Sequence, residues 1–535
     1  MKFKFSLPLI TFLLCHSLLP AQQSWWVFFT DKQGVSFDPV SYFDPKAIER
    51  RIRHGIPLSD PTDWPVKGQY LSSVESMADS VLFVSRWFNA VAIQASEERI
   101  QRIRQYPFIS QVEKINPVER YTAGMMDFKI PMNVEDSLLM VHQLLSLQGE
   151  LFEKKGIDGK GIRIAIFDIG FTGVKENPAF QEIIASGRLI GTKDFTKRKG
   201  EDVFWGKPHG TQVWSCIAGK IGDKKLGLAT GAEFLLAKTE VNREPFSEEL
   251  NWLAAAEWAD KMGADIINSS LGYTLQRYFP WQMDGRTSFV TRAANLAARK
   301  GILVVNSAGN EGSGDWHTLG APADADSVLT IGGIKPETGF HTDFSSFGPT
   351  ADKRMKPNVC AFGHVIVSEG GKLANTQGTS FASPLVAGFA ACALQLNKKL
   401  TNMELFREIE KSGHLYPYFD YAHGFGVPQA GYFLRDGEEK ITPTFTIEET
   451  TDEIKVLVRE EFIPQPENKE NEVDSVKFNK NRYLYYNIMN AKGVLDYYYI
   501  LEVNEQEVLM LDRTVYAEGE TLNVHFAGYT QSIRF

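Results

Sequence analysis

A chain of 535 residues is too long for a single hydrophobic core and long enough for three domains, one of them large. Its 43% hydrophobic and 23% charged residues describe ordinary globular protein, and a net charge of -9 without any basic block argues against nucleic acid or anionic membranes as partners.

Lys2 and Lys4 precede the apolar run Leu7 to Leu19, which ends at Pro20-Ala21 before the polar Gln22-Gln23-Ser24. This is the form of a secretory signal peptide over residues 1–21, and the run is too short and too abruptly ended for a membrane span. The expectation is an exported protein with no transmembrane span in its mature chain. Beyond that segment lie Cys216, Cys360 and Cys392, an odd number at unrelated spacings. They read as small buried hydrophobes, not as a disulfide framework or a zinc site.

Trp25 to Thr30 is an aromatic and β-branched run that suits a strand. Asp44-Pro45 then opens a helix through Ile48 and Ile52 that Gly55 stops, with Asp44 as cap and Pro45 at the first helical position. Val81 to Val84 and Phe88 to Ile93 read as strands, Ser96 caps a helix over Arg99 to Gln105, and Gln111 to Ile115 is extended. The order β-α-β-β-α-β predicts a ferredoxin-like α+β module over 22–120. An irregular stretch with Gly124, Pro131 and three methionines makes 121–134 a linker.

The run Ile162 to Phe167 ends at Asp168-Ile169-Gly170 and is apolar throughout, as a parallel strand buried on both faces would be. Strands follow at Phe234 to Ala237, Asp265 to Asn268, Ile302 to Val305 and Ser327 to Ile331. Between them, Glu248 to Met262 and Phe289 to Lys300 read as helices. This alternation predicts a doubly wound, mostly parallel α/β domain over 135–438, with its chemistry beyond the carboxyl ends of the strands. From about Ile441 six short aromatic or alternating runs separated by Pro, Asn, Gly and acidic clusters predict a β-sandwich over 439–535, with Pro464 to Glu472 its most loop-like section.

Four features carry chemistry, and each has a plain structural reading beside the chemical one. Gly378-Thr379-Ser380 opens an apolar helix, so Ser380 is either a cap or a nucleophile, and a nucleophilic serine needs a base and a place for developing negative charge. Asp168 ends a buried strand and is either a turn aspartate or a charge that must be matched. His209 follows Pro208 at a helix start; a neutral imidazole is the base best suited to a serine, and a carboxylate on its other nitrogen fixes the tautomer. Asn306 to Gly312 is either an Asn-Gly loop or the source of an oxyanion donor, the Asn310 amide, acting with the Ser380 backbone N–H.

These residues resemble the subtilisin-like serine peptidases, or subtilases, whose triad order is Asp168, His209, Ser380. The resemblance covers roughly 135–435 and includes HGT at His209 to Thr211, SSLG at Ser269 to Gly272 and SAGNEG at Ser307 to Gly312. It extends to APADADSVLTIG at Ala321 to Gly332, FSSFGP at Phe344 to Pro349 and GTSFASP at Gly378 to Pro384. It implies that Ser270, Leu271 and Gly272 pair with extended substrate backbone. The chain departs from the pattern at Ile169, where the family often has Thr or Ser, and at Gln212, where many members have a second histidine. The N-terminal module is similar to subtilase propeptides, which implies inhibition of the chain's own cleft until cleavage between Ile115 and Asn133. Calcium sites are frequent in the family, which leaves room for a structural calcium ion, but no cluster of oxygen ligands here matches one and it stays unassigned; no cofactor is required.

The expected function is a secreted serine endopeptidase made as a self-processing zymogen, acting on proteins or peptides through an acyl-enzyme. The alternatives are a transpeptidase, in which an amine intercepts that intermediate, and an inactive binding scaffold. The C-terminal β domain is similar to those of exported peptidases in Bacteroidetes-like bacteria, which points to secretion, or to the cell surface or periplasm of a Gram-negative bacterium.

Overall fold

The computed structural model describes residues 23–115, 134–196, 200–241, 247–275, 277–435, 437, 441–464 and 480–535. The expected signal peptide at 1–21, the expected cleavage between Ile115 and Asn133, and most of the loop-like Pro464 to Glu472 lie outside them. The chain divides into two compact units, Met1–Ser36 with Pro61–Pro117, and Phe37–Asp60 with Val118–Phe535.

The first unit is built on strands β1 (Gln23–Phe29), β2 (Ser80–Ser85), β3 (Ala90–Ala95) and β4 (Ile109–Ile115). They pair antiparallel in the order β2-β3-β1-β4, which is the ferredoxin-like arrangement. In chain order the first helices are α1 (Pro39–Tyr42), α2 (Pro45–Arg53), α3 (Gly68–Glu75) and α4 (Glu97–Ile103). Trp25, Val27 and Phe29 of β1 share a core with Val74 of α3, Ile100 and Ile103 of α4, and Val91 and Ile93 of β3.

One sequence expectation is corrected here. The helix after Asp44 forms as predicted, with Asp44 accepting from the Lys46 N–H at 2.9 Å, but it is not the first helix of the module. That helix is α3, and α2 belongs to the second unit. The sequence hid α3 because Lys67 offers no side-chain cap and Gly68, Ser72 and Ser73 are weak helix formers, whereas α2 carries strong start signals that say nothing about where it docks.

The second unit holds strands β5 (Arg163–Asp168), β6 (Leu189–Asp194), the small hairpin β7 (Lys220–Ile221) and β8 (Lys224–Lys225), β9 (Glu233–Lys238), β10 (Ile266–Ser269), β11 (Leu303–Ser307), β12 (Val328–Ile334) and β13 (Val359–Phe362). Seven of them form one parallel sheet in the order β13-β12-β11-β10-β5-β9-β6. Its helices are α5 (Val134–Leu145), α6 (Gly149–Lys154), α7 (Gln181–Ala185), α8 (His209–Ala218), α9 (Ser247–Lys261), α10 (Phe289–Arg299), α11 (Thr379–Leu396), α12 (Asn402–Lys411) and α13 (Ala430–Leu434). Successive side chains of a strand point to opposite faces. On β5, Ile164 and Ile166 join the core formed with α8 and α11, while Phe167 meets Trp252 of α9 edge-on at 5.4 Å. Both faces are therefore covered, which is why the strand is apolar throughout.

Helix α11 is long and apolar enough to cross a membrane, but 83% of that stretch is buried, and it is the interior helix of the unit. A hairpin of β14 (His364–Glu369) and β15 (Lys372–Gln377) leads into it. Cys216, Cys360 and Cys392 are buried free thiols.

Beyond α13 come β16 (Phe445–Glu449), β17 (Glu453–Val458), β18 (Tyr483–Met489), β19 (Leu495–Glu502), β20 (Glu507–Asp512), β21 (Thr521–Phe526) and β22 (Tyr529–Arg534). They form two antiparallel sheets, β16-β17-β20 and β19-β18-β21-β22. Phe445, Val456 and Val458 of one share a core with Leu484, Leu522 and Val524 of the other, so the β-rich end is two packed layers. The six predicted strands form, and β22 is an additional one.

Candidate active site

The parallel sheet sets the carboxyl ends of β5, β10 and β11 side by side; Asp168 ends β5, Ser270 to Gly272 follow β10, Asn310 follows β11, and His209 and Ser380 lie in the first turns of α8 and α11. Asp168 is the last residue of β5 and is 2% exposed. Its carboxylate accepts the Ile169 N–H at 2.8 Å and faces Nδ1 of His209, the first residue of α8, at 2.9 and 3.0 Å to its two oxygens. Where the resemblance expects a hydroxyl side chain, residue 169 supplies its backbone donor instead. An N–H on Nδ1 directed at this carboxylate leaves the lone pair of the neutral imidazole on Nε2.

The imidazole ring lies 5.5 Å, centroid to centroid, from Phe381, the residue after Ser380. Ser380 sits in the first turn of α11, where the helix N–H groups have no intrahelical acceptor. Its Oγ donates to the Ser270 carbonyl at 3.3 Å, and the Ser270 Oγ donates to the Ser380 carbonyl at 2.9 Å. This reciprocal pair ties the head of α11 to the segment after β10. Asn268 supports it, donating to the Ser270 Oγ at 3.0 Å and accepting from the Ser383 Oγ at 3.0 Å.

Asn310 is held from the other side. Its Oδ1 accepts the Thr379 N–H at 3.0 Å and the Thr379 hydroxyl at 2.9 Å, and because an N–H requires an oxygen acceptor, the amide NH2 is left as the free donor end. Of the predicted substrate segment, Ser270 and Leu271 are buried, and the Leu271 carbonyl accepts from Asn306 Nδ2 at 3.0 Å. Gly272, three residues beyond β10, makes no backbone hydrogen bond among the described residues.

Lys238, which the sequence reading passed over, ends β9 in register with Asp168. Its ammonium donates to the Ile169 carbonyl and, at 2.9 Å, to the Glu240 carbonyl. Burial pulls its pKa down, against the carboxylates of Asp194, Glu240 and Asp168. The signal was a lysine closing an otherwise apolar strand. Gln212 donates to Glu369 at 2.6 Å, which gives it a structural partner on the β14-β15 hairpin. Among the described residues no group of three or more His, Cys, Asp or Glu is placed to hold a metal ion.

Comparison with known proteins gives the family. Residues 159–426 match the model of the subtilase family, and residues 24–126 match that of the peptidase S8 propeptide domain of Bacteroidota. The chain is 30% identical over 290 residues to the serine protease AprX of Bacillus subtilis (strain 168), covering 48% of this chain and 62% of that protein. It is 26% identical over 332 residues to subtilisin NAT of Bacillus subtilis subsp. natto, covering 61% of this chain and 76% of that protein. Among solved structures, MycP1 with the N-terminal propeptide removed is 23% identical at a TM-score of 0.45, covering 55% of this chain and 96% of its own. With a parallel seven-stranded sheet, a buried aspartate on a histidine at its carboxyl edge and both family models in order along it, the chain belongs to the subtilase family of serine peptidases, S8, and carries that family's propeptide domain.

Proposed function

We propose that the chain is an exported serine endopeptidase that processes itself, with Ser380 as nucleophile, His209 as base and Asp168 as the group that orients and charges against His209. The observation that supports it most is the two-oxygen contact between Asp168 and His209 Nδ1, made beside the head of α11. Attack begins when the Ser380 hydroxyl turns from the Ser270 carbonyl toward His209 Nε2, a contact that commonly tightens only with substrate bound. His209 takes the proton, Oγ bonds to the peptide carbonyl carbon, and the carbonyl oxygen becomes an oxyanion. The Ser380 N–H and the Asn310 NH2 receive that charge, and the positive end of α11 adds to them. His209 then gives its proton to the leaving amine, and water hydrolyses the acyl-enzyme by the same route. The Gly272 backbone edge takes the substrate as an added strand.

On this reading the propeptide module over 24–126 is released by a cut between Ile115 and Asn133, and the protein is exported from a Gram-negative cell. The test is N-terminal sequencing of purified precursor incubated alone. The expected result is a new N-terminus within 116–133 that the Ser380→Ala chain does not produce; processing of Ser380→Ala at the unsubstituted rate would end the proposal.

A further inference from the structure

Residues 37–60 lie within the stretch that matches the propeptide domain, 24–126, yet they belong structurally to the catalytic unit. The chain leaves the N-terminal unit after Ser36 and re-enters it at Pro61. What lies between is α1 and α2, docked at the amino ends of the sheet strands, the edge opposite the catalytic residues.

The contact is made by charge at full burial. The last turn of α2 carries Arg50, Arg51 and Arg53. Arg50 and Arg51 are 1% and 0% exposed, and both guanidinium groups pair with Asp260, itself 1% exposed; the Arg51 contact is 2.6 Å. Asp260 stands in the last turn of α9, where the helix dipole opposes a negative charge, so it needs these cations. Arg50 also donates to the Ala264 carbonyl, to the Asp260 carbonyl in the last turn of α9 at 3.4 Å, and to the Lys300 carbonyl after α10 at 3.2 Å, so one side chain caps the carboxyl ends of both helices. Arg53 meets Asp265 at 2.8 Å, and Lys46 meets Glu233 at 3.1 Å. Arg163, at the start of β5, holds Glu233 at 2.8 Å and Asp44 at 3.2 Å, and the Asp44 N–H donates to the Lys261 carbonyl at 2.9 Å. The Arg51 guanidinium also lies over the Phe43 ring at 4.1 Å.

The catalytic unit is shaped to receive this segment. At Gly263, φ +72°, a Cβ would come within 2.7 Å of the Ala47 nitrogen, and at Gly301, φ +84°, within 2.8 Å of the His54 ring. Both positions turn in the left-handed region and approach the segment closely, which only glycine does without strain.

We infer that residues 37–60 are a permanent anchor of the catalytic unit, so that cleavage between 116 and 133 yields a two-chain enzyme whose N-terminal fragment stays bound through α2. The inference rests on the processing reading above. Removing α2 would strip two buried arginines from their carboxylate and bare the carbonyls at two helix ends, and separating a buried ion pair is strongly unfavourable.

The test separates this from self-cleavage by using the full-length Ser380→Ala chain with a recognition site for an exogenous protease placed within 118–133. After the cut, the sample is diluted and run by size exclusion, and amide hydrogen exchange is followed across residues 45–53. The expected result is co-elution of the fragment with the 134–535 chain and unchanged protection of α2. In the same cut protein, Arg50→Met with Arg51→Met is expected to weaken retention at least about 100-fold. The inference is overturned if α2 loses protection on cutting, or if the double variant folds and retains the fragment as tightly as before. The exchange measurement needs no substitution in α2, so it decides the matter even where the double variant fails to fold. Absence of self-processing by the Ser380 chain would count against the proposed activity and leave this result standing.

Discussion

The two edges of the parallel sheet each bury an aspartate, and they match its charge in different ways. At the carboxyl edge Asp168 faces a histidine, through contacts of both its oxygens to Nδ1. At the amino edge Asp260 faces two arginines, Arg50 and Arg51. Burial is the same, 2% against 1%, so the difference lies in the partner. On the proposed function, the histidine partner makes a site that can run a reaction, and the pair of arginines makes a joint. A third buried aspartate, Asp324, has neither. It accepts from the Gly285 N–H at 2.8 Å and the Thr291 hydroxyl at 2.6 Å, and burial pushes its pKa up to about 6.

Substitutions at these places test the comparison. Ser380→Ala, which removes the group that the carboxyl edge serves, is expected to lower peptide hydrolysis by roughly a millionfold, the size of the loss when the nucleophile of subtilisin is removed, with the fold retained by circular dichroism. Asp168→Asn keeps the shape but disfavours the useful tautomer, and kcat is expected to fall about 10,000-fold, with thermal stability changing much less. A loss of stability as large as the loss of rate would make Asp168 a joint as well. At the amino edge the pattern should invert: Arg50→Met, measured by urea unfolding in the Ser380→Ala background, is expected to cost about 3–5 kcal/mol of stability. Asn310→Ala is expected to lower kcat about 100- to 1,000-fold with KM little changed, because the donor acts on charge present only in the transition state. The smallest effect belongs to Asp324. Its folded pKa, about 6, lies above the ordinary 3.8, so the fold favours its neutral form. The stability it contributes is full below about pH 4 and is lost as pH rises through about 6. Asp324→Asn should remove about 3 kcal/mol of that slope, read from urea midpoints across this interval.

Much of this was legible in residue order. The apolar strand before Asp168, the cap at Asp44, the serine at the head of an apolar helix and the six β runs after Ile441 all formed where local pattern placed them, because period, caps and turn residues act over a few positions. The fold class followed from the alternation of those elements. Lys238 was missed because its meaning depends on a neighbouring strand's register, and α3 because weak helix formers without a cap become helical only when Val74 is buried in the first unit's core.

What the sequence by itself determined was the set of candidate reacting groups and the elements that carry them, since each announces itself in its own short stretch. What only the tertiary structure decided was the partnership of charges far apart in the chain, the arginines of α2 with Asp260 across 210 and 209 positions. A strong helix start at Asp44 forms the same helix in either unit. Which unit owns it depends on where two buried guanidinium groups find a carboxylate and two helix ends, and no local signal carries that.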